Sequence, residues 1–262
     1  MAHPTDGSRP SSARIYAHLL GSTDDTHGAD REAADMLVSA FPSIRDAGRA
    51  NRGFLLRAVR EIAAAGVTQF LDLGSGLPVH PNVHDVARTL HSGARVVYVD
   101  NDPAVVSHRQ ATVDGDGVVT VDGDLRDPKE ILEHPRVRAT LDFDRPIGLI
   151  AVAVLHFVPG DVHAVVASLR DALAPGSHLA VTHACSETMS EEEIKIGEAI
   201  YQRTSNPVNL RTRAEINALF DGFDLLPPGL VPPADWRPVA PEFEPYPERS
   251  HEMLAAVGAL SR

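Results

Sequence analysis

After Gly66 the chain changes rhythm: short runs rich in β-branched and aromatic residues, among them VTQFLDL, RVVYVD and IGLIAVAV, alternate with longer amphipathic stretches. Successive βαβ units present themselves this way, and the pattern restricts the chain to a mostly parallel sheet with helices on both faces. Strands are predicted at 67–73, 95–100, 118–122, 147–154 and 178–183. Two crossover helices carry start signals, Asp102 ahead of Pro103 and Asp161 ahead of VHAVVASLRDAL. The fourth strand is apolar throughout, so it is expected to be buried on both faces.

Ahead of this region, from Ala13 to Ala65, apolar residues fall at helical spacing: Ile15, Leu19 and Leu20, then Ala33, Met36 and Leu37, then Phe54, Leu55, Ala58, Val59 and Ile62. Two or three helices are expected, broken by GSTDDTHGAD and Pro42. Residues 1–12 are polar and proline-bearing and read as a disordered tail. Beyond the fifth strand, Ser190 to Glu193 and Thr212 to Glu215 match the Ser/Thr-x-x-Glu capping box, which predicts helices near 190–203 and 212–220. Apolar runs at 224–231 and 252–260 are candidates for a late antiparallel pair, although Met253 to Leu260 would serve almost as well as a helix. The expected organisation is a helical lid over 13–65 and a Rossmann-like core over 66–262 with a helical insert at about 187–211.

The formal net charge is −12 and no long basic run appears, so the electrostatic attraction that dominates nucleic-acid binding is missing. The longest uncharged apolar run, Ile147 to Val158, is too short to span a bilayer, and no signal segment precedes it. A cytoplasmic protein without nucleic-acid or membrane partners is expected, and the sequence sets no oligomeric state. With Cys185 alone, neither an internal disulfide nor a multi-cysteine zinc site is possible. His80 and His84 stand at i, i+4 beside Asp85, but no third ligand is identifiable and no metal is assigned. Asp24, Asp25, His27 and Asp30 read as a solvated loop.

In an open α/β sheet, ligands bind beyond the carboxyl ends of the strands. The first predicted strand ends in Asp72-Leu-Gly74-Ser75-Gly76, a turn that lets a ligand approach the main chain closely. A dinucleotide fingerprint would want a further glycine at position 79, where the chain has Val79. A carboxylate at Asp72 would repel a pyrophosphate but attract a cation, so a ligand with an ammonium group and no phosphate fits better; S-adenosylmethionine is such a ligand. Asp100, 24 residues past Gly76, ends the second strand where a carboxylate accepts from ribose hydroxyls. Asn101 and Asp102 are the competing helix caps. Asp124 and the backbone of Leu125 follow the third strand and can meet an adenine edge. His156 follows the fourth, where it can act as a base or as a wall.

These motifs, LDLGSG, YVDND, GD-L and AVLHFVP, resemble those of class I S-adenosylmethionine-dependent methyltransferases. More narrowly, SSARIYAHLLGS, GADREAA, RANRGFLLRAVR, QFLDLGSGLP, VVYVDNDP and VLHFVP resemble, in this order, the actinobacterial S-adenosyl methyltransferase family once known only as a domain of unknown function. The resemblance implies a doubly wound seven-stranded sheet whose last strand is antiparallel, with N-terminal helices over the ligand. It also implies S-adenosylmethionine held by Asp72, Gly74 and Gly76 at the methionine head, Asp100 at the ribose and Asp124 with Leu125 at the adenine, flanked by Val154 and His156. Ser75, Asn101, Arg14, Tyr16 and Gly21 complete the candidate cofactor set. Many members carry a second glycine and an aromatic or basic residue where this chain has Gly21-Ser22-Thr23-Asp24-Asp25, so the role of Gly21 is open.

Methyl transfer is an in-line displacement at an already activated carbon, so alignment and exclusion of water matter most. His156 and Tyr16 are the candidate catalytic groups; Arg14, Asn51 and Arg52 are further candidates from the lid. Asn51, Tyr201 and Trp236 are the candidate acceptor contacts, with Arg203 and Asn206 beside Tyr201. The expected activity is methyl transfer to a small molecule. The alternatives are a binding module that holds the same ligand without turnover and, on the Asp100 signal alone, a nicotinamide-dependent oxidoreductase.

Overall fold

The computed structural model describes residues 9–22, 28–204, 206–238 and 252–261. Seven strands form one sheet in the order β3-β2-β1-β4-β5-β7-β6. They are β1 (Gln69–Leu73), β2 (Arg95–Asp100), β3 (Val118–Asp122), β4 (Gly148–Val152), β5 (His178–Ala184), β6 (Phe223–Leu225) and β7 (Met253–Leu260). The first five are parallel, and β7 runs antiparallel to both β5 and β6. The alternative of a helix at 253–260 is therefore excluded: inserted between two strands and buried on both faces, the segment sends Leu254 and Ala256 to one core and Ala255 and Val257 to the other. The run at 224–231 gives only a three-residue strand, after which the chain loops back and pairs Val231 with Ala255.

Alternate strand residues face opposite layers, as the pleat demands. Phe70, Val96, Tyr98 and Ile150 pack on one face against α3 (Ile44–Ala64) and α4 (Val83–Leu90). Leu71, Leu73, Val97, Val99 and Leu149 pack on the other against α6 (Pro128–Glu133), α7 (Pro135–Thr140), α8 (Val162–Arg170) and α10 (Arg213–Ala218). The helix after β2, α5 (Pro103–Thr112), starts at its expected cap: Asp102 accepts from the Ala104 amide at 2.9 Å. Both capping boxes form as the sequence predicts, Ser190 with Glu193 on α9 (Glu191–Tyr201) and Thr212 with Glu215 on α10.

The lid has a core of its own. Ile15 and Leu19 of α1 (Ser12–Leu19), Ala34 and Leu37 of α2 (Gly28–Ala40), Phe41 and Ile200 of α9 bury one another above the carboxyl ends of the strands. Asp30 is a correction to the solvated-loop expectation. It is fully buried, and it accepts from the Ser11 amide at 2.9 Å and from Arg14 Nε at 2.9 Å. Residues 24, 25 and 27 lie outside the described residues, as does the predicted tail up to residue 8. No helix among the described residues is long and apolar enough to cross a membrane.

Candidate functional site

The ends of β1, β2, β3 and β4 open into a cavity of about 350 Å³ roofed by the lid and α9. It is lined by Asp72, Gly74, Ser75, Gly76, Asp100, Asn101, Asp124, Leu125, Val154 and His156, and by Tyr16, Asn51 and Tyr201 from the helices above. Adjacent parallel strands end at the same level, so a carboxylate at each end arrives on one wall.

Gly74 lies at φ +65°, a left-handed conformation, and a Cβ there would stand 2.1 Å from Val154 Cγ2. Only glycine lets the β1 turn lie this close to the end of β4. The turn does not run directly into a helix, because α4 begins only at Val83, capped by Asn82. That leaves Ser75 to Pro81 as a loop along the cavity, bounded by Arg52, whose guanidinium donates to the Val79 and Pro81 carbonyls. His80 precedes the helix, so the i, i+4 geometry weighed for His80 and His84 is absent. His84 Nδ1 instead lies 2.8 Å from the Tyr98 hydroxyl. Among the described residues no group of three or more His, Cys, Asp or Glu side chains is placed to hold a metal.

Asp72 is 6% exposed, and its carboxylate makes no hydrogen bond or ion pair among the described residues. Burial pushes it up to about 7, against the pull of Arg109 and Arg52, with Asp100 adding to the rise. Asp100 is also raised by burial, yet it is well held: Oδ2 accepts from the Gly76 amide at 2.8 Å and Oδ1 from the Asp102 amide at 3.0 Å. One carboxylate thus joins the β1 turn to the β2 turn. Asp102 takes the capping role that competed for Asp100 and receives Ser11 Oγ at 2.8 Å and Arg14 Nη1 at 3.1 Å. Asp124 is gripped by Arg126 Nε at 2.9 Å and by the Asn101 side chain; burial alone would raise it, but these bonds hold it below the usual carboxylate range.

Above the turn, a chain of hydrogen bonds ties the lid to the strand ends. The Ala153 amide, at φ +55°, donates to Thr182 Oγ1 at 2.8 Å, and that hydroxyl donates to Asn51 Oδ1 at 2.6 Å. Asn51 Nδ2 donates to the Tyr16 hydroxyl at 2.7 Å, which donates to the Gly48 carbonyl at 3.1 Å. Tyr16 and Asn51 are therefore fixed against the site rather than free at its mouth.

His156 sits in a 3₁₀ turn after β4, and its Nδ1 is buried without a partner. Burial, with His183 and Arg211 nearby, lowers it well below the ordinary histidine range. The ring packs edge-on to Phe157 at 4.3 Å and to His183 at 5.4 Å. Arg211 holds the turn through the Leu155 and Val158 carbonyls, each at 3.2 Å. An uncharged imidazole at the cavity wall is chemically a proton acceptor.

Four sequence-predicted residues are not at the cavity, one of them Arg203, which is exposed just past the end of α9. Trp236 is fully buried beneath α3, edge-on to Phe54 at 5.3 Å, because the loop after β6 folds back onto that face of the sheet. Trp236→Phe is expected to cost about 1–3 kcal/mol, because the smaller ring leaves a cavity beneath α3. Ligand affinity of the folded variant should be unaltered, which urea unfolding and calorimetry will check. Gly21, at φ +95°, ends α1: its amide donates to the His18 carbonyl at 2.9 Å and that of Ser22 to Ala17 at 3.0 Å, an ordinary left-handed helix stop. Arg14 is turned away into its pairs with Asp30 and Asp102 and anchors α1. Conversely, Arg109 of α5 supports the site without a signal in the sequence. It donates to the carbonyls of Ser75 at 2.8 Å and of Gly76, and lies 4.3 Å over the Tyr98 ring. Nothing local marks an arginine in mid-helix as the support of a turn 33 residues earlier.

A seven-stranded sheet of this order, with β7 antiparallel and acidic residues closing β1 and β2 around a glycine turn, is the Rossmann-like fold of class I methyltransferases. The chain belongs to the S-adenosyl methyltransferase family, whose sequence pattern matches residues 1–261. Among solved structures, a candidate methyltransferase from Thermobifida fusca YX is similar at 39% identity and a TM-score of 0.89, over 98% of this chain and 97% of that one. A DUF574 family protein from Streptomyces avermitilis MA-4680 is similar at 36% identity and a TM-score of 0.90, over 97% and 98%. An O-methyltransferase family protein from Burkholderia thailandensis shares the fold at 14% identity and a TM-score of 0.52, over 90% of this chain and 61% of that one. No curated protein matches the chain.

Proposed function

We propose that this protein binds S-adenosylmethionine across the ends of β1 to β3 and transfers its methyl group to a small molecule held beneath the lid. The observation that carries this reading is Asp72, a nearly inaccessible carboxylate that makes no hydrogen bond or ion pair among the described residues, on the wall of a cavity. Burying an unpaired carboxylate is costly, and an ammonium group is the ligand chemistry that relieves it. The carboxylates at Asp100 and Asp124 continue the series toward a ribose and an adenine, although Arg126 must share Asp124 with the base. S-adenosylmethionine, when bound, supplies a methyl group on a positively charged sulfur.

The chain's own residues then have three tasks. Asp72, Gly74 and Gly76 anchor the amino-acid end, and Asp100 orients the sugar. Tyr16 and Asn51, locked to Thr182, close the site against water, which aligns the reacting atoms and lowers competition from hydrolysis. His156 would take the proton that the acceptor's oxygen or nitrogen gives up on methylation.

Calorimetry with S-adenosylhomocysteine and with NAD tests the cofactor assignment: binding of the first and not the second is expected, and the reverse would overturn it. Incubation with labelled donor and a metabolite extract then separates an enzyme from a binding module, since only the enzyme labels an acceptor.

The same titration carries a pH signature. An ammonium-bearing ligand needs Asp72 ionised. Below about 7 each unit of acidification protonates a further tenfold share, so affinity for S-adenosylhomocysteine should fall about tenfold per pH unit. Above that pH it should level off until the ligand's own ammonium deprotonates. Asp72→Asn should flatten the profile and weaken binding at pH 8 by roughly 10- to 100-fold, the worth of a charged hydrogen bond. An unchanged slope in the variant would assign the dependence to another group.

A further inference from the structure

The cavity has a second half, and what it takes rests on the cofactor reading above. Its lining beyond His156 includes an apolar set: Leu37, Phe41 and Ile44 from the lid, Phe157 from the turn after β4, and Ile194 and Tyr201 from α9. The rings of His156, Phe157 and Tyr201 follow one another at 4.3 Å and 5.5 Å, an aromatic strip leading away from the imidazole. Such a lining takes an apolar, ring-bearing molecule.

One side chain breaks that pattern. Ile194, Gly197, Glu198 and Tyr201 all line the cavity and fall at i, i+3, i+4 and i+7, the inner stripe of α9. Glu198 is the charged member of this stripe, and its carboxylate makes no hydrogen bond or ion pair among the described residues. It also lies in the last turn of the helix, where the backbone dipole disfavours an anion. Glu252, which accepts from Ser43 Oγ, adds a second carboxylate to this half. Among the described residues no lysine lines the cavity, and the arginines that do are engaged elsewhere, Arg52 with the Val79 and Pro81 carbonyls and Arg126 with Asp124. Beside these acids stands the nine-tenths-buried His156 ring with its unpartnered Nδ1.

We propose that the acceptor is an apolar ring compound that carries a protonated amine away from its reacting group and no anionic group, and that Glu198 selects it. The amine neutralises Glu198, the ring lies along Phe157 and Tyr201, and the reacting oxygen or nitrogen reaches His156. An anionic acceptor meets Glu198, which has no cation paired with it among the described residues, a repulsion that specificity can exploit.

Three probes with one ring test this: tryptamine, the uncharged tryptophol, and indole-3-propionate, each titrated by ligand-observed NMR into protein saturated with S-adenosylhomocysteine. Tryptamine should bind at least about tenfold tighter than indole-3-propionate, with tryptophol between them. In Glu198→Gln the three should fall within about threefold of one another, and Glu198→Lys should reverse their order, both still binding S-adenosylhomocysteine as a check on folding. Equal binding of the anion and the amine in the native protein, survival of the gap in Glu198→Gln, or no binding by any probe would overturn the proposal. Failure of S-adenosylhomocysteine to bind would sink the cofactor assignment instead, and the three titrations on the ligand-free protein would still decide the amine preference.

Discussion

Replacing Arg109 by methionine is expected to lower the free energy of unfolding by about 3–5 kcal/mol, the usual cost of removing one partner from a buried charge cluster, and to abolish S-adenosylhomocysteine binding. The guanidinium is 3% exposed and stands among Asp72, Asp100 and Tyr98. Burial pulls it below the ordinary arginine range, and those acidic neighbours oppose the fall. Methionine keeps most of the packing against Tyr98 while removing the charge and the hydrogen bonds to Ser75 and Gly76. Two buried carboxylates are then left facing each other across a turn whose carbonyls have lost their donor. Urea unfolding at pH 7.5 measures the first effect and calorimetry below the unfolding transition the second. A variant as stable as the native chain, with unchanged affinity, would show that Arg109 does not support the turn.

His156→Phe should reduce methyl transfer by about 10²- to 10⁴-fold, the range for loss of a positioned general base, while the ring's packing against Phe157 and His183 is retained. The pH dependence distinguishes a base from a wall. Because burial and the neighbouring His183 and Arg211 depress the imidazole well below 6.5, it is uncharged across the neutral range. With S-adenosylmethionine saturating at every pH, which removes the Asp72 dependence of binding, the native rate should therefore stay free of a histidine limb near pH 6.5 and fall only in more acidic solution. That acidic limb should vanish in the variant. The linked effect on stability has the same direction: the unfolded chain takes up a proton below about 6.5 that folded His156 refuses, so the fold loses stability as the solution is acidified. A rate within threefold of the native enzyme would make His156 part of the wall.

Much of the fold was legible because it depends on periodicity. The five parallel strands follow from runs of β-branched residues between amphipathic stretches, and their ends differ from expectation by at most two residues. Asp72, Asp100 and Asp124 were legible as a set for a related reason: each lies within two residues of a strand's carboxyl end, and topology alone brings those ends together. The misreadings are residues whose surroundings come from elsewhere in the chain. Trp236 lies in a proline-rich loop with no period to say which face it meets. Arg14 has the spacing of a helix but takes its function from Asp30 and Asp102, 16 and 88 residues away. Glu198 sits on an inner stripe that exists only once α9 has docked on the lid.

The place of β7 has a consequence for biosynthesis. Met253–Leu260 slots between β5 and β6, although it is made after both. On the ribosome the nascent chain can assemble β1 to β5 and the ligand-facing wall early, but the flank of β5 stays bare until that segment emerges. A polypeptide interrupted before Met253 would keep a nearly complete ligand wall beside an unpaired strand, the template on which identical truncated chains stick to one another.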